Sequence, residues 1–256
     1  MEFRDLAIQI LSATTLEDKL FSPDLLTDFS PGPALCWDIP TRPVTMQFKT
    51  RSRKDKLPPL HEHQSAEKRA ICLHRFAGHE LLAVEIMAFA LLRFPEAPAN
   101  FRKGLLNTLL EEQEHVRLYI KRLNELGMQF GDLELYKHFW THTPHIQTPL
   151  QYVSLMSLTF EMANLDFAPL YGKSFEKNGD TASADLMAKI LFDEISHVRF
   201  GMCWLKKFKD THLDDFQAWK LALPPNVDIN RAKGFVFLEE PRKKAGVSQE
   251  WIDALK

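Results

Sequence analysis

Two parts of the chain carry the same spacing of acidic and histidine residues, and this repeat constrains the fold more than any other feature. Each copy begins with a glutamate that is followed, 32 or 33 residues later, by a Glu-x-x-His tetrapeptide. In a helix this tetrapeptide places a carboxylate and an imidazole on one face. The repeated residues are Glu80, Glu112 and His115 in the first copy and Glu161, Glu194 and His197 in the second.

Four long segments around these residues contain almost no glycine or proline and are rich in strong helix formers. They are residues 65–93, 99–127, about 150–176 and 181–208. This composition predicts four helices. The breakers Pro95–Pro98 and Lys177–Asp180 predict a tight turn within each pair, with Asp180 as the N-cap of the fourth helix. The sequence therefore predicts an all-α fold that contains two duplicated antiparallel helical hairpins.

The segments on either side of these helices are interrupted by many prolines. Residues 1–64 are expected to form a short helix followed by irregular wrapping. Residues 209–256 are expected to form short helices and loops packed on the central helices. The predicted organisation thus has three parts, with the helical core at residues 65–208.

Residues equidistant from the turn of an antiparallel hairpin lie level with each other, so we expect all six repeated residues to meet at one height. Two further acids, Glu85 and Asp166, recur with matching spacing. They would lie level with about Asn107 and Lys189, where neither hairpin offers a second ligand. We therefore interpret Glu85 and Asp166 as helix–helix contacts or as supports of the ligands, and not as ligands.

The proposed ligands interrupt apolar stripes, and each of the four repeated glutamates is predicted to lie on a buried helix face. Four buried carboxylates repel one another, and a cation must compensate their charge. Four oxygen ligands and two imidazoles, without a thiolate, suit iron or manganese better than structural zinc. The predicted cofactor is two iron ions, with manganese or a mixed iron/manganese pair as the alternative. No catalytic residue beyond the metal ligands is predicted.

This ligand set resembles that of the ferritin-like di-metal carboxylate superfamily, over roughly residues 65–208. The stretches His79–Glu85 and Phe160–Asp166 are similar to an uncharacterised bacterial branch, whose general plan is similar to that of the tRNA-hydroxylase MiaE. The resemblance implies a ferritin-like four-helix bundle. It also implies, from related di-iron oxygenases, that the acids directly before the helix glutamates, Glu111 and Asp193, accept hydrogen bonds from the ligand histidines.

The resemblance implies an oxidoreductase whose di-iron centre activates oxygen or peroxide, that is, a di-iron oxidase or monooxygenase. Its substrate would be an unidentified small molecule or a modified nucleoside, and an electron-donor protein would be a partner. A ferroxidase or another metal-handling protein is the alternative function. A structural or interaction helical protein is the third.

Composition bounds the partners and the compartment. The chain has 32 basic and 34 acidic residues and a formal net charge of -2, so no global field attracts nucleic acid or an anionic membrane. Three cysteines without a Cys-x-x-Cys motif indicate a reducing compartment. The longest apolar stretch on the main helices, Ile86–Leu92, is far shorter than the roughly 20 residues that cross a bilayer. A soluble, cytoplasmic protein is expected.

Three other features have a structural and a functional interpretation. Tyr119 is a redox tyrosine or, as we favour, an ordinary core aromatic residue. The histidines of segments 61–63 and 138–145 bind a further metal or, as we favour, lie in solvated loops. The basic run from Lys49 to Lys56 contacts phosphates or, as we favour, forms a hydrated connector.

Overall fold

A computed structural model describes residues 1–50 and 56–256, and in this part of the chain the protein is all-α, as predicted. No β-strand forms among the described residues, where extended pairing is limited to two isolated bridges. The described residues divide into two compact units, which we call the N-terminal unit (Met1–Thr143) and the C-terminal unit (Pro144–Lys256). The three-part division read from the sequence stays a prediction. Arg51, Arg53 and Lys54 of the basic run lie outside the described residues.

The N-terminal unit is built around one helical hairpin. Its α-helices are α1 (Phe3–Ser12), α2 (Leu16–Lys19), α3 (Ala66–Arg93) and α4 (Ala99–Glu125). α3 and α4 pack against each other, and α1 packs on α3. We call α3 and α4 the first hairpin, and its bounds confirm the first predicted helix pair. The chain reverses between them at the segment that contains Pro95 and Pro98, because proline does not continue a helix.

Every residue of α3 from Glu80 to Leu92 is buried. A helix is buried all round when it has neighbours on more than one side, and α3 has both α4 and α1 against it. This explains why its C-terminal stretch, Ile86–Leu92, is a continuous apolar run and not an amphipathic one. The N-terminal segment thus forms part of the core of this unit.

The C-terminal unit contains the second hairpin, formed by α6 (Met162–Lys177) and α7 (Thr181–Phe208). The remaining α-helices of this unit are α5 (Pro149–Leu155), α8 (Asp215–Ala222), α9 (Glu239–Ala245) and α10 (Gln249–Leu255). Asp180 caps α7, since its side chain accepts a hydrogen bond from the Ser183 amide at 3.0 Å. The predicted helix pair and its cap are confirmed.

One irregular feature departs from the predicted third helix. Between α5 and α6 the chain forms a π-helical turn, Met156–Glu161, so residues 149–177 are a helical run with a wider turn in it. We call this segment the π-turn. No proline or glycine lies within it, so no local helix breaker in the sequence indicates its presence.

None of the helices in the described ranges combines the length and the apolar character needed to cross a membrane.

Candidate metal centre

The first hairpin brings the three residues of the first repeat together. Glu80 extends from α3, and Glu112 and His115 extend from α4. One ligand atom from each residue lies within 4.8 Å of the other two. Glu80 is 6%, Glu112 1% and His115 0% exposed. Within the N-terminal unit, the carboxylates and the imidazole are therefore level and buried, as the spacing from the turn predicts.

The separation of Glu112 and His115 fits a shared cation. His115 Nδ1 and Glu112 Oε2 are 3.1 Å apart. Two ligand atoms that bind one metal at right angles, each at roughly 2.0–2.2 Å, are about 3 Å apart. The same distance also fits a hydrogen bond from Nδ1–H to the carboxylate. The donor set, two carboxylates and an imidazole without sulfur, has the chemistry of an iron or manganese site.

The C-terminal unit holds the three residues of the second repeat at equally buried positions, with Glu161 at the end of the π-turn and Glu194 and His197 on α7. Glu161 is 4%, Glu194 0% and His197 1% exposed. Ligand atoms of Glu161 and His197 lie within 4.8 Å of each other, and His197 Nδ1 lies 3.6 Å from Glu194 Oε2. Asn164 Nδ2 donates a hydrogen bond of 2.7 Å to Glu194 Oε1 and fixes the direction of this carboxylate. Asn164 follows Glu161 by three residues, a helical spacing that could have identified it in the sequence.

The π-turn ends at Glu161 and so sets the position of this side chain. π-helical turns are rare and frequently occur at functional sites. Just before the turn, the Ser154 carbonyl accepts hydrogen bonds from Thr159 Oγ1 at 2.7 Å and from Trp219 Nε1 at 3.1 Å. These two donors stabilise the backbone where the regular α-helical pattern is interrupted.

Glu85 contacts two cations of the N-terminal segment. Lys19 Nζ lies 2.9 Å from Glu85 Oε1, and Arg42 Nε donates to the same oxygen at 3.0 Å. Arg42 Nη2 also donates to Glu85 Oε2, at 2.5 Å. Lys19, Arg42 and Glu85 are all buried. Glu85 is thus a structural contact between α3 and the N-terminal segment, and this agrees with its interpretation as a non-ligand.

Asp166 has the matching role in the C-terminal unit. Arg242 from α9 donates two hydrogen bonds to it, at 2.6 Å from Nη1 and 2.8 Å from Nη2. The backbone amides of Gly234 and Leu238 donate to the same carboxylate, each at 2.8 Å. Asp166 therefore fixes the C-terminal segment on α6. The sequence did not identify Arg242 or Arg42 as partners, because they lie 76 and 43 residues from the acids that they bind.

The two acids that precede the helix glutamates differ in exposure. Glu111 is exposed on α4, whereas Asp193 is 7% exposed on α7. Lys189, one turn earlier on α7, donates to Asp193 Oδ2. That both acids accept hydrogen bonds from ligand histidines stays a prediction.

The expectation that the other histidines lie in solvated loops is wrong for two of them. His63 is fully buried, and this burial lowers its pKa. Its Nε2 lies 3.4 Å from Cys72 Sγ. Burial also raises the pKa of Cys72 to about 12, which keeps the thiol protonated. His142 is 8% exposed. Within the described residues, neither histidine belongs to a group of three metal-ligating side chains. Tyr119 is buried, with its ring 6.1 Å from Phe76, and its interpretation as an ordinary core residue stays a prediction.

His74 is a structural histidine that the sequence did not single out. Its Nε2 accepts hydrogen bonds from the backbone amides of Gly131 at 3.0 Å and Leu133 at 3.3 Å. Burial, followed by the nearby charge of Arg75, lowers the pKa of His74 to about 4. The neutral imidazole thus joins α3 to the loop after α4, and a protonated ring could not accept these bonds.

Comparison with known proteins gives a family but no activity. A family model described as "Protein of unknown function (DUF455)" matches residues 7–253. An "Uncharacterized protein" of Haemophilus influenzae is 27% identical over 154 residues, which are 57% of this chain and 54% of that protein. The match thus spans about half the length of this curated relative. No solved structure matches the chain.

Proposed function

The chain belongs to the family described as protein of unknown function (DUF455), and from its own residues we propose that it is a di-iron carboxylate oxidoreductase. The proposed ligands are the six repeated residues, Glu80, Glu112, His115, Glu161, Glu194 and His197. The observation that carries the proposal is the buried convergence of Glu80, Glu112 and His115 within 4.8 Å in the first hairpin. A ferritin-like four-helix bundle is part of the same proposal and rests on the sequence resemblance.

Charge supports a metal centre over a purely structural role. Glu80 and Glu112 lie close together in the core, and like charges at short range raise the cost of burial. A divalent cation held by both carboxylates and by His115 offsets that cost.

The chain's own residues would bind, orient and shield the cofactor. The carboxylates supply negative charge, and the imidazoles supply neutral nitrogen ligands. Asn164 restrains Glu194 by its hydrogen bond, and the π-turn restrains Glu161. The surrounding helix faces exclude water, which strengthens electrostatic interactions in the site. Bound iron supplies redox chemistry with oxygen or peroxide, which protein side chains do not provide.

The class of substrate and the electron donor belong to the proposal as the sequence resemblance implies them. The substrate is a small organic molecule or a modified nucleoside, and an electron-donor protein supplies reducing equivalents. Manganese or a mixed pair is the alternative metal content, since the same oxygen and nitrogen ligands suit both metals.

Metal analysis tests the proposal. Protein purified without chelator, or loaded anaerobically with Fe(II), is expected to hold two metal ions per chain. Glu112→Ala and Glu194→Ala should each lose at least one ion, because each removes a ligand carboxylate. Glu114→Ala is the matched control, since Glu114 lies on α4 beside Glu112 but is exposed and pairs with Arg117. Wild-type protein that holds neither iron nor manganese after loading contradicts the proposal.

Oxygen uptake separates the enzyme from a metal-handling protein. After anaerobic loading, oxygen consumption should stop at the amount that the bound iron can reduce, and added free Fe(II) should not accumulate as ferric mineral. A closed set of protein ligands balances the charge of the bound ions, so they have no electrostatic reason to leave. Sustained oxidation of many Fe(II) per chain would favour a ferroxidase.

A further inference from the structure

A glycine lies where α7 meets the π-turn most closely. A Cβ atom built on Gly201 would lie 2.5 Å from Ser157 Cβ and 3.0 Å from two atoms of the Leu158 side chain. Carbon atoms in contact are normally about 3.5–4.0 Å apart. A residue with a Cβ atom therefore cannot occupy position 201 unless the π-turn moves.

The shape of the π-turn explains why this space is needed. A π-helical turn closes with i→i+5 hydrogen bonds, so it holds one more residue than an α-helical turn and its backbone bulges outward. Ser157 and Leu158 lie in this bulge. The atom nearest to the Cβ built on Gly201 is Ser157 Cβ. Ser157 Cβ is attached to the backbone and cannot rotate away as the end of a long side chain can. Gly201 thus leaves the room that the bulge occupies.

The start of the π-turn is held from another element of the same unit. Trp219 of α8 is fully buried and donates through Nε1 to the Ser154 carbonyl and to Thr159 Oγ1, each at 3.1 Å. A buried carbonyl without a donor costs free energy, so these bonds favour the interrupted geometry over a regular helix. Trp219 and Gly201 therefore support the turn in different ways: one supplies donors, and the other supplies space.

The π-turn matters because it ends at Glu161. Each residue of an α-helix rotates the side-chain direction by about 100°. Relaxing the turn to regular α-helix removes one residue from the turn, and it rotates Glu161 by about that angle relative to α5. Such a rotation would change the direction of the Glu161 carboxylate, which is buried at the end of the π-turn.

We infer that Gly201 is a positioning residue, which seats the π-turn against α7 and thereby sets the direction of the Glu161 carboxylate. The inference rests on the proposed function, in which Glu161 is a metal ligand. Gly201 contributes no ligand atom. Its part is to define where a ligand atom lies.

Gly201→Ala tests the inference through metal binding. The variant is expected to bind Co(II) roughly 10- to 100-fold more weakly than wild type, as when a residue that orients a metal ligand is lost. The visible spectrum of bound Co(II) should also change, because the ligand geometry changes. Gly172→Ala is the matched control. Gly172 lies on α6, and its added Cβ would lie 3.3 Å from Met187 Cβ of α7, outside the π-turn. The control should keep the wild-type affinity and spectrum.

A second substitution shows whether the contact itself is responsible. Ser157→Gly removes the atom at 2.5 Å, so the double variant Ser157→Gly/Gly201→Ala should regain most of the lost affinity. The double variant also keeps the test decisive if Gly201→Ala alone does not fold. Restored folding and metal binding in the double variant support the inference. A double variant that folds and binds metal no better than Gly201→Ala overturns it. Equal affinity and spectra for wild type and Gly201→Ala also overturn it. Wild-type protein that binds no metal contradicts the proposed function instead.

Discussion

The N-terminal and C-terminal units each carry one copy of the same three-residue pattern, but the two copies differ one turn away from it. In the first hairpin the residues four before the glutamate and four after the histidine are Phe76 and Tyr119, whose rings pack 6.1 Å apart. In the C-terminal unit the equivalent positions hold Ser157 of the π-turn and Gly201 of α7, which lie close together. At equivalent positions, two aromatic rings thus pack together in one copy, and two helical segments approach closely in the other.

The anchoring acids extend this comparison. Glu85 and Asp166 each follow the proposed ligand glutamate by five residues, and each binds an arginine from outside its hairpin. Arg42 comes from the segment before the first hairpin, and Arg242 comes from the segment after the second. The duplicated position therefore serves one purpose in both units, which is to attach the flanking segment to the helical run that contains a proposed ligand.

The largest expected effect comes from removing these acids. Glu85→Gln leaves both Lys19 and Arg42 buried without their carboxylate, and breaking such a pair costs about 3–5 kcal/mol. Asp166→Asn should cost less within this range, because Arg242 keeps the Leu238 and Ala232 carbonyls as acceptors. Urea unfolding at neutral pH measures both variants.

Glu114→Gln is the control for this comparison. It disrupts an exposed ion pair with Arg117, and the free energy of unfolding is expected to change by no more than about 1 kcal/mol. Folded Glu85→Gln protein should still load the same number of metal ions as wild type, since Glu85 is assigned no ligand role. A smaller destabilisation for Glu85→Gln than for Asp166→Asn would show that the second cation around Glu85 does not matter.

In metal-free protein, lowering the pH should destabilise the two units over different pH ranges. Folding lowers the pKa of His74 from 6.5 to about 4, so between these pH values the unfolded chain binds a proton that the native state does not. The contribution of neutral His74 to the free energy of unfolding is complete above pH 6.5. It is lost as the pH falls towards 4, and the loss is at most about 3 kcal/mol. His63, whose pKa is also lowered by burial, acts in the same direction.

The C-terminal unit responds at lower pH through Glu239. The hydrogen bond from Lys256, followed by that from Lys243, lowers the pKa of Glu239 from 4.5 to about 2. Its contribution is complete above pH 4.5 and is lost as the pH falls towards 2. Hydrogen exchange between pH 6.5 and 4.5 should therefore show weakening in the N-terminal unit first. His74→Gln should reduce that pH dependence, and an unchanged dependence would remove His74 as its cause.

The smallest expected effect separates the two acids that precede the helix glutamates. Asp193→Asn keeps the shape but removes the charge, and it should weaken metal affinity by roughly 10- to 100-fold without unfolding the unit. Glu111→Gln should have a smaller effect, because Glu111 is exposed and solvent screens its charge. Titration of both variants with Co(II) measures this order. Equal affinities for Asp193→Asn and wild type would make Asp193 a packing residue.

Much of the architecture could be predicted from the sequence. The helix pairs, the turn with Asp180 as a cap and the burial of the four repeated glutamates all follow from patterns within one or two helical turns. Such patterns are readable because helix propensity, capping and apolar periodicity are local properties of the chain. The meeting of Glu80 with Glu112 and His115 was also predictable, since the turn of an antiparallel hairpin fixes which residues are level.

The partners of Glu85 and Asp166 and the π-turn depended on the tertiary structure. Arg42 and Arg242 are ordinary surface-type residues in the sequence, and packing alone brings them into the core. The π-turn contains no local helix breaker, and it is held by Trp219 and admitted by Gly201, which lie far along the chain. Local sequence determined which residues form the helices and face inward. Contacts between distant residues decided where a helix widens and which charge meets which, because their free energy depends on space and partners that only the folded chain provides.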